Sequence, residues 1–220
     1  MDRDLQALLQ GIFGCAPDVA LRIGAGARDR RYPVRAVILK QGDRAVATYL
    51  LAEGRAHALS YGPEGQSVLL QEFASGDFFG AVAAAEPASV DADVVAVEDS
   101  RALIFLALEF VALIETHACV GLAVSRALLK QLRATAGRMI ARTTLSAAGR
   151  VHAELLRLAR SGDGRTVKPI PVLSEMAVRV HATRETVSRA VAALERRGIV
   201  KREANALVIV ASRRLEEMVI

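Results

Sequence analysis

The residues with the clearest chemistry are four polar side chains within six consecutive positions near the C-terminus. They are Arg184, Glu185, Ser188 and Arg189. An arginine presents a planar fork of donors that fits O6 and N7 of guanine, the commonest specific contact between proteins and DNA. A glutamate can accept a hydrogen bond from the cytosine amino group, and a serine can approach the thymine methyl group. These residue types favour the reading of base edges in a DNA groove.

A short helix is predicted to carry this polar group on its exposed face. Thr183 can cap the helix, Glu185 lies near the positive end of its dipole, and Gly198 is placed to end it. The opposite face has the spacing of one buried stripe, formed by Val187, Ala190, Val191 and Leu194. A helix-turn-helix inserts the N-terminal end of such a helix into the major groove. The alternative is an amphipathic surface helix whose charges face solvent.

The stretch from Leu173 to Gly198, LSEMAVRVHATRETVSRAVAALERRG, resembles the helix-turn-helix of the CRP/FNR family. Members of this family are dimeric bacterial transcription regulators with an N-terminal cyclic-nucleotide-binding-like β-roll and a C-terminal winged helix. One residue departs from the family pattern, since His181 occupies the turn where the family usually has glycine. Histidine tolerates a left-handed backbone better than most residues do, so we expect the turn to be kept.

The resemblance also implies how the chain would bind DNA. Glu185, Ser188 and Arg189 resemble the oxygen- and nitric-oxide-responsive branch of the family, whose half-sites contain TTGA. We therefore expect a homodimer on an inverted repeat, with half-sites centred about one helical turn apart. The side chains expected to contact phosphates are Thr183, Thr186, Lys201 and Arg202. The family also implies a contact with RNA polymerase.

The fold class implied is α+β. From Pro33 to Leu106, short apolar strands alternate with turn residues, including Gly62-Pro63-Glu64-Gly65, a pattern typical of a small antiparallel roll. We expect a β-roll sensor domain over residues 1–107, a dimerisation helix with a hinge over 108–144, and a winged-helix DNA-binding domain over 145–220. The wing is predicted to be the hairpin from Ile199 to Val210.

The residues at the family's nucleotide position differ from those that bind cyclic AMP. In members that bind it, a glutamate after the residue equivalent to Gly80 contacts the ribose, and an arginine further along contacts the phosphate. Here Ala81 and Val90 stand at these places, beside the acidic Asp91 and Asp93. A cyclic phosphodiester is an anion and needs a cation or donated amides. The pocket at Gly80, Ala81 and Val90 is therefore not expected to recognise cyclic AMP in the ordinary way.

Three interpretations of the sensor domain stay open. In the first, the domain binds a more apolar effector. In the second, it binds haem through His57, His117 or a cysteine, as some gas-sensing relatives do. In the third, it is a scaffold without a ligand. Cys15 and Cys119 are far apart in the sequence and form no CxxC motif, so a metal site or a disulfide framework is not expected. Two cysteines alone cannot hold an iron–sulfur cluster.

A helical pattern runs from Leu108 to about Arg142, as a short piece followed by a long helix after His117. Along the long helix, apolar residues recur every three or four positions, close to a heptad seam. The predicted dimer interface consists of Val124, Leu128, Leu132 and Met139. The alternative is that this helix packs on its own domain, but a long amphipathic helix needs a partner for its stripe, which favours the dimer.

Positive charge is concentrated in the C-terminal part of the 220-residue chain, whose net charge is +5. Residues 145–220 contain 14 basic and 8 acidic residues, whereas residues 51–100 contain 1 basic and 9 acidic. This distribution suits neutralisation of phosphates by the C-terminal domain. No Ser-His-Asp arrangement, phosphate loop or metal-ligand spacing indicates an enzyme, and no signal peptide or membrane span is evident. We expect a cytoplasmic DNA-binding protein rather than an enzyme or a ligand-binding module that does not read DNA.

Overall fold

A computed structural model describes residues 3–61, 67–82 and 88–219. The chain divides into two compact units, residues 1–135 and 136–220, and the division falls within a long helix. The α+β fold class predicted from the sequence is confirmed. The predicted turn at residues 62–65 lies outside the described residues, and the three-part domain division stays a prediction.

The first unit combines helices at both ends with a set of short antiparallel strands. Its elements are α1 (Arg3–Phe13), α2 (Pro17–Ala25), β1 (Arg28–Tyr32), β2 (Val37–Leu39), β3 (Arg44–Ala45), β4 (Ala47–Glu53), β5 (Arg55–Tyr61), β6 (Ser67–Ala74), β7 (Phe78–Gly80), β8 (Ala88–Ser89), β9 (Asp93–Ala96), β10 (Ser100–Leu106), α3 (Ala107–Thr116) and α4 (Ala118–Thr144), which continues into the second unit.

Two four-stranded antiparallel sheets form the roll, in the orders β1-β10-β4-β7 and β2-β9-β5-β6. Strand β1 was not predicted, because its sequence RDRRY lacks the apolar alternation of a strand. Four of its five residues are exposed, and the strand is defined by pairing along β10, with Arg28 opposite Ile104 and Tyr32 opposite Ser100. A polar edge strand of this kind is specified by its neighbour rather than by its own pattern.

One core of the first unit lies between the β1-β10-β4-β7 sheet and the helices. It contains the fully buried Leu9, Ile23, Leu103, Phe105 and Phe110. Helices α3 and α4 meet at a bend of 112°. Among the described residues no single helix has the length and apolar character needed to cross a membrane, and α3 and α4 reach them only when the bent pair is taken together.

The second unit is a small helical domain with a three-stranded sheet of order β11-β13-β12. Its elements are α5 (Ala147–Arg160), β11 (Thr166–Val167), α6 (Leu173–Val180), α7 (Arg184–Arg196), β12 (Val200–Glu203), β13 (Ala206–Ile209) and α8 (Ser212–Glu217). Strands β12 and β13 form the predicted wing hairpin, with Glu203 opposite Ala206. One core joins all these elements, and α7 contributes Val187, Ala190, Val191 and Leu194 to it.

Candidate nucleic-acid interface and sensor cavity

Helix α7 begins at a well-formed cap. The Thr183 hydroxyl oxygen accepts a hydrogen bond from the Thr186 amide at 3.1 Å, and the two threonine hydroxyls lie 2.9 Å apart. At the other end, Gly198 has a φ of +65°, a conformation that favours glycine and stops the helix. The predicted start, end and buried stripe of this helix are therefore all found in the structure.

The four predicted base-reading side chains lie together at the N-terminal end of α7. Arg184, Glu185, Ser188 and Arg189 are all exposed, whereas the buried stripe lies on the opposite face of the helix. Neither Arg184 nor Arg189 has an ion-pair partner within the described part of the chain. The structure thus presents two free guanidinium groups and a carboxylate on one end of an exposed helix.

The four predicted phosphate contacts are less uniform. Lys201 is exposed on β12, but Arg202 next to it donates from Nε to Glu195 Oε1 at 2.9 Å, so its charge is partly neutralised. The hydroxyls of Thr183 and Thr186 contact each other in the cap of α7. Of the two basic residues, Lys201 is therefore the one more available to bind a phosphate.

The turn before α7 has the left-handed backbone that the sequence required. His181 has φ and ψ of 48° and 58°, and its amide bonds to the Val178 carbonyl at the end of α6. Burial lowers the pKa of the His181 ring below its ordinary value, and the positive charges of Arg142, Arg150 and Arg138 lower it further. The ring is therefore neutral at pH 7.

Replacing His181 by asparagine is expected to change how stability depends on pH. Asparagine tolerates the left-handed backbone but does not titrate. Because the folded-state pKa of His181 lies below the unfolded value of 6.5, its contribution to stability is present above pH 6.5 and is lost as the pH falls through the lower folded pKa. The difference between the urea midpoints of His181→Asn and the wild type should grow in favour of asparagine between about pH 7.5 and pH 5.5. If the difference between the two urea midpoints does not change with pH, the pKa of His181 is not lowered in the folded protein.

Arg150 is a positioning residue whose role sequence reasoning did not identify. From α5, its guanidinium donates to the carbonyl oxygens of Val180 at 2.7 Å, His181 at 3.0 Å and Leu145 at 3.0 Å. The last carbonyls of a helix have no partner within the helix, so Arg150 satisfies the end of α6 and the turn together. The sequence indicates that the carbonyls of a tight turn need hydrogen-bond donors. It does not indicate which arginine supplies them.

The first unit contains a cavity of about 390 Å³ beside β7, at the predicted effector position. Its walls are largely apolar and come from Leu39, Ala45, Phe73, Phe78, Phe79, Ala81, Val90 and Val94. Its polar lining comes from Gln71, Ser89, Asp91 and Gln131. Among the described residues that line it there is no lysine or arginine, so the charge contributed by these residues is negative.

The three predicted effector residues lie together at this cavity, but their backbone is already engaged. The amide of Ala81 donates to the Ala47 carbonyl and that of Val90 to the Asp43 carbonyl, each at 2.9 Å. The side chains of Ala81 and Val90 form a buried cluster with Ala45. Gly80 has a φ of +82°, and a Cβ atom there would lie 2.5 Å from the Ala47 carbonyl oxygen, so this glycine is required by the backbone.

The two histidines considered as haem ligands lie in ordinary structural environments. His57 is buried on β5, with its Nε2 atom 3.6 Å from Oε1 of Glu72 on the neighbouring strand. His117 is half-buried at the end of α3. Within the described ranges, no three His, Cys, Asp or Glu side chains come together as they would around a metal ion.

The predicted dimer residues separate into two groups. Leu128, Leu132 and Met139 are 45%, 65% and 69% exposed, and Leu129 and Ile140 add to the exposed apolar surface of α4. Val124 differs from the prediction, because it is 5% exposed and packs in the core of its own unit. The heptad spacing could not separate these groups, since both faces of this part of α4 carry apolar residues.

Comparison with known proteins identifies two domain families and a relative that are similar to this chain. Residues 29–117 match the family described as "Cyclic nucleotide-binding domain", and residues 149–218 match the "Crp-like helix-turn-helix domain". The "Cyclic AMP receptor protein" of Thermus thermophilus is 31% identical over 174 residues, which cover 78% of this chain and 79% of that protein.

Solved structures with low sequence identity share the fold. A CooA variant from Carboxydothermus hydrogenoformans gives a TM-score of 0.78 at 18% identity and covers 90% of each chain. The c-di-GMP-responsive global regulator CLP of Xanthomonas campestris gives a TM-score of 0.77 at 19% identity, over 88% of this chain and 99% of that chain.

Proposed function

The chain belongs to the CRP/FNR family of transcription regulators, and we propose that it is a homodimer that reads an inverted repeat with TTGA-like half-sites. In this proposal Arg184 and Arg189 bond to guanines, Glu185 accepts from a cytosine amino group, and Ser188 contacts a thymine methyl group. Lys201 and the threonines at the start of α7 contact phosphates, which fix the position of the helix without reading sequence. The protein acts by binding rather than by catalysis.

The observation that carries this proposal is the exposed polar end of α7. A surface helix of a stable domain has no need for two unpaired arginines beside a carboxylate within its first two turns, whereas base readout needs donors and an acceptor there. The cap at Thr183 and the bonds from Arg150 hold this end of the helix in place. A rigid element of this kind suits recognition better than a loop does.

The homodimer is supported by the exposed apolar stripe on α4. Leu128, Leu132 and Met139 expose large apolar side chains along a 27-residue helix. A second copy of the same helix would cover this surface about a two-fold axis. A dimer of this symmetry carries two copies of α7, which is why an inverted repeat is expected.

We further propose that the sensor cavity does not bind cyclic AMP by the ordinary contacts. Binding the phosphate would require a cation or free amides, but the described lining includes the Asp91 carboxylate, and the Ala81 and Val90 amides are paired with carbonyls. The apolar walls and the neutral amides of Gln71 and Gln131 suit an uncharged effector. The Thermus relative is named for cyclic AMP, so cyclic AMP is the ligand to test on this chain.

Selection of bound sites from random duplex DNA tests the proposal. The full chain is purified, and selection is run with and without cyclic AMP beside the double variant Arg184→Ala/Arg189→Ala. We expect an enriched inverted repeat of TTGA-like half-sites for the wild type, unchanged by cyclic AMP, and no enrichment for the double variant. Enrichment that requires cyclic AMP would refute the sensor proposal, and the absence of any enriched repeat in both conditions would refute the readout proposal.

Replacing Leu132 by aspartate is expected to break the dimer. In the proposed interface, the carboxylates of both copies would be buried without a partner, at a cost of about 3–5 kcal/mol, or at least about 100-fold in the dimer dissociation constant. Analytical ultracentrifugation measures the change directly. Arg126→Ala, an exposed change off the apolar stripe of the same helix, is the matched control and should leave the dimer intact. A dimer that withstands Leu132→Asp would place the interface elsewhere.

A further inference from the structure

Helix α4 contacts the rest of the first unit in two different ways along its length. Its first turns pack through apolar residues that recur every three or four positions and are buried in the core, namely Val120, Ala123, Val124 and Ala127. The next positions with this spacing are Lys130 and Gln131, which are polar. The side of the helix that faces the roll therefore changes from apolar packing to polar contacts one turn after Ala127.

The polar contacts of Lys130 and Gln131 go to two consecutive residues of the roll. Lys130 Nζ lies 2.9 Å and 3.1 Å from the two carboxylate oxygens of Asp77. The side-chain amide of Gln131 donates from Nε2 to the carbonyl oxygen of Phe78, the first residue of β7, at 3.0 Å. Because consecutive residues of a helix point about 100° apart, these bonds fix both the place where α4 meets β7 and the rotation of the helix about its axis.

The burial of Asp77 makes its bond to Lys130 hard to give up. The Asp77 side chain is 4% exposed, whereas that of Lys130 is 62% exposed. Asp77 Oδ2 also accepts a hydrogen bond from the Ala74 amide at 2.8 Å, which holds the carboxylate in the turn before β7. Removal of the opposite charge from a buried carboxylate is costly, although water around the exposed ammonium group reduces that cost here. Asp77 therefore keeps Lys130, and with it α4, beside the roll.

We propose that Lys130 and Gln131 are positioning residues for the homodimer, and that their bonds to the roll set which face of α4 is offered to the second copy. Leu128 and Leu132 lie on either side of this pair in the sequence and are exposed. A rotation of the helix that carried Lys130 away from Asp77 would turn these apolar side chains out of the dimer surface. The proposal rests on the α4 homodimer proposed above, and neither heptad spacing nor charge pattern indicates it.

The effect on dimerisation is doubled because two copies associate. Each copy must hold α4 in the correct rotation, so the apparent dissociation constant rises with the inverse square of the fraction of chains that do so. If loss of the Lys130 charge lowers this fraction to about one third, the dissociation constant rises about tenfold. A residue that only stabilised the fold of the first unit would change its urea midpoint and leave the dissociation constant of the folded chains unchanged.

Analytical ultracentrifugation of the full chain tests the proposal with Lys130→Ala, Asp77→Asn and the double variant. Asparagine keeps an acceptor for the Ala74 amide but removes the charge. We expect each single variant to raise the dimer dissociation constant about tenfold, and the double variant to raise it no further, because both changes remove the same bond. Lys130→Arg keeps the positive charge and should stay close to the wild type. An unchanged dissociation constant for Lys130→Ala, or effects that multiply in the double variant, would overturn the proposal.

Arg126→Ala is again the matched control, because it removes an exposed basic side chain from the preceding turn of α4 and should not change the dissociation constant. Hydrogen exchange on dilute, monomeric protein keeps the test decisive if Asp77→Asn folds poorly. Amides of residues 128–135 should exchange several-fold faster in Lys130→Ala than in the wild type, and equal exchange would contradict the proposal.

The Leu132→Asp variant separates this proposal from the one on which it rests. If Leu132→Asp leaves the dimer intact, α4 does not form the interface and both proposals are wrong. If Leu132→Asp dissociates the dimer while Lys130→Ala has the affinity of the wild type, the α4 dimer is supported and only the positioning role of Lys130 and Gln131 is wrong.

Discussion

Arg189→Ala is expected to weaken binding to the selected operator about 5- to 150-fold, which corresponds to about 1–3 kcal/mol. The reason is the loss of a two-pronged contact to guanine by a side chain that is exposed and unpaired in the structure. The decisive feature is selectivity. If Arg189 reads one guanine, the variant should lose its preference at that base pair while keeping its preferences at the other positions.

The measurement is a set of equilibrium titrations on the operator and on operators changed at single base pairs, all at one salt concentration. Arg196→Ala is the matched control, since Arg196 is an exposed arginine at the opposite end of the same helix. It should lower affinity less and leave base preference unchanged. If Arg189→Ala weakens binding equally on every sequence, with a shallower dependence on salt, the side chain contacts a phosphate and our assignment is wrong.

The DNA-binding unit was largely predictable because local signals agreed with one another there. The cap at Thr183, the stripe from Val187 to Leu194 and the stop at Gly198 lie within sixteen consecutive residues, so each supports the others without tertiary information. The left-handed turn at His181 was also predictable, since the turn needs that conformation and histidine tolerates it. The structure confirms these features.

The features that the sequence did not predict depend on contacts between distant parts of the chain. Strand β1 is polar and is defined by β10, some seventy positions later. Val124 fits the heptad but is covered by the core of its own unit. Periodicity reports which residues share a face, but not what covers that face.

The sensor cavity falls between these two cases. Its position followed from the resemblance, and the absence of a cation at Ala81 and Val90 was visible in the sequence. What the sequence could not provide was the state of the backbone. The Ala81 and Val90 amides are paired with carbonyls, so these two described residues do not supply the free amides that loops use in many phosphate sites.

Arg150→Ala is expected to cost the second unit about 2–4 kcal/mol of stability, because three charge-assisted hydrogen bonds to half-buried carbonyls are lost together. Arg150→Lys should recover only part of this loss, since an ammonium group cannot reproduce the fork that reaches the carbonyls of Val180, His181 and Leu145. The amides of residues 173–198 should exchange with deuterium faster in both variants. Operator binding should weaken in the same order, because the turn that orients α7 is less well held.

The control for this prediction lies on the same helix. Arg160 is exposed and forms one ion pair with Glu216 at 2.6 Å, so Arg160→Ala should cost less than about 1 kcal/mol. Urea unfolding and hydrogen exchange on the three variants separate the two roles. If Arg150→Ala lowers stability no more than Arg160→Ala does, other contacts hold the turn and the hydrogen bonds of Arg150 contribute little to it. If Arg150→Lys is as stable as the wild type, one positive charge is enough and the three-carbonyl geometry has no special importance.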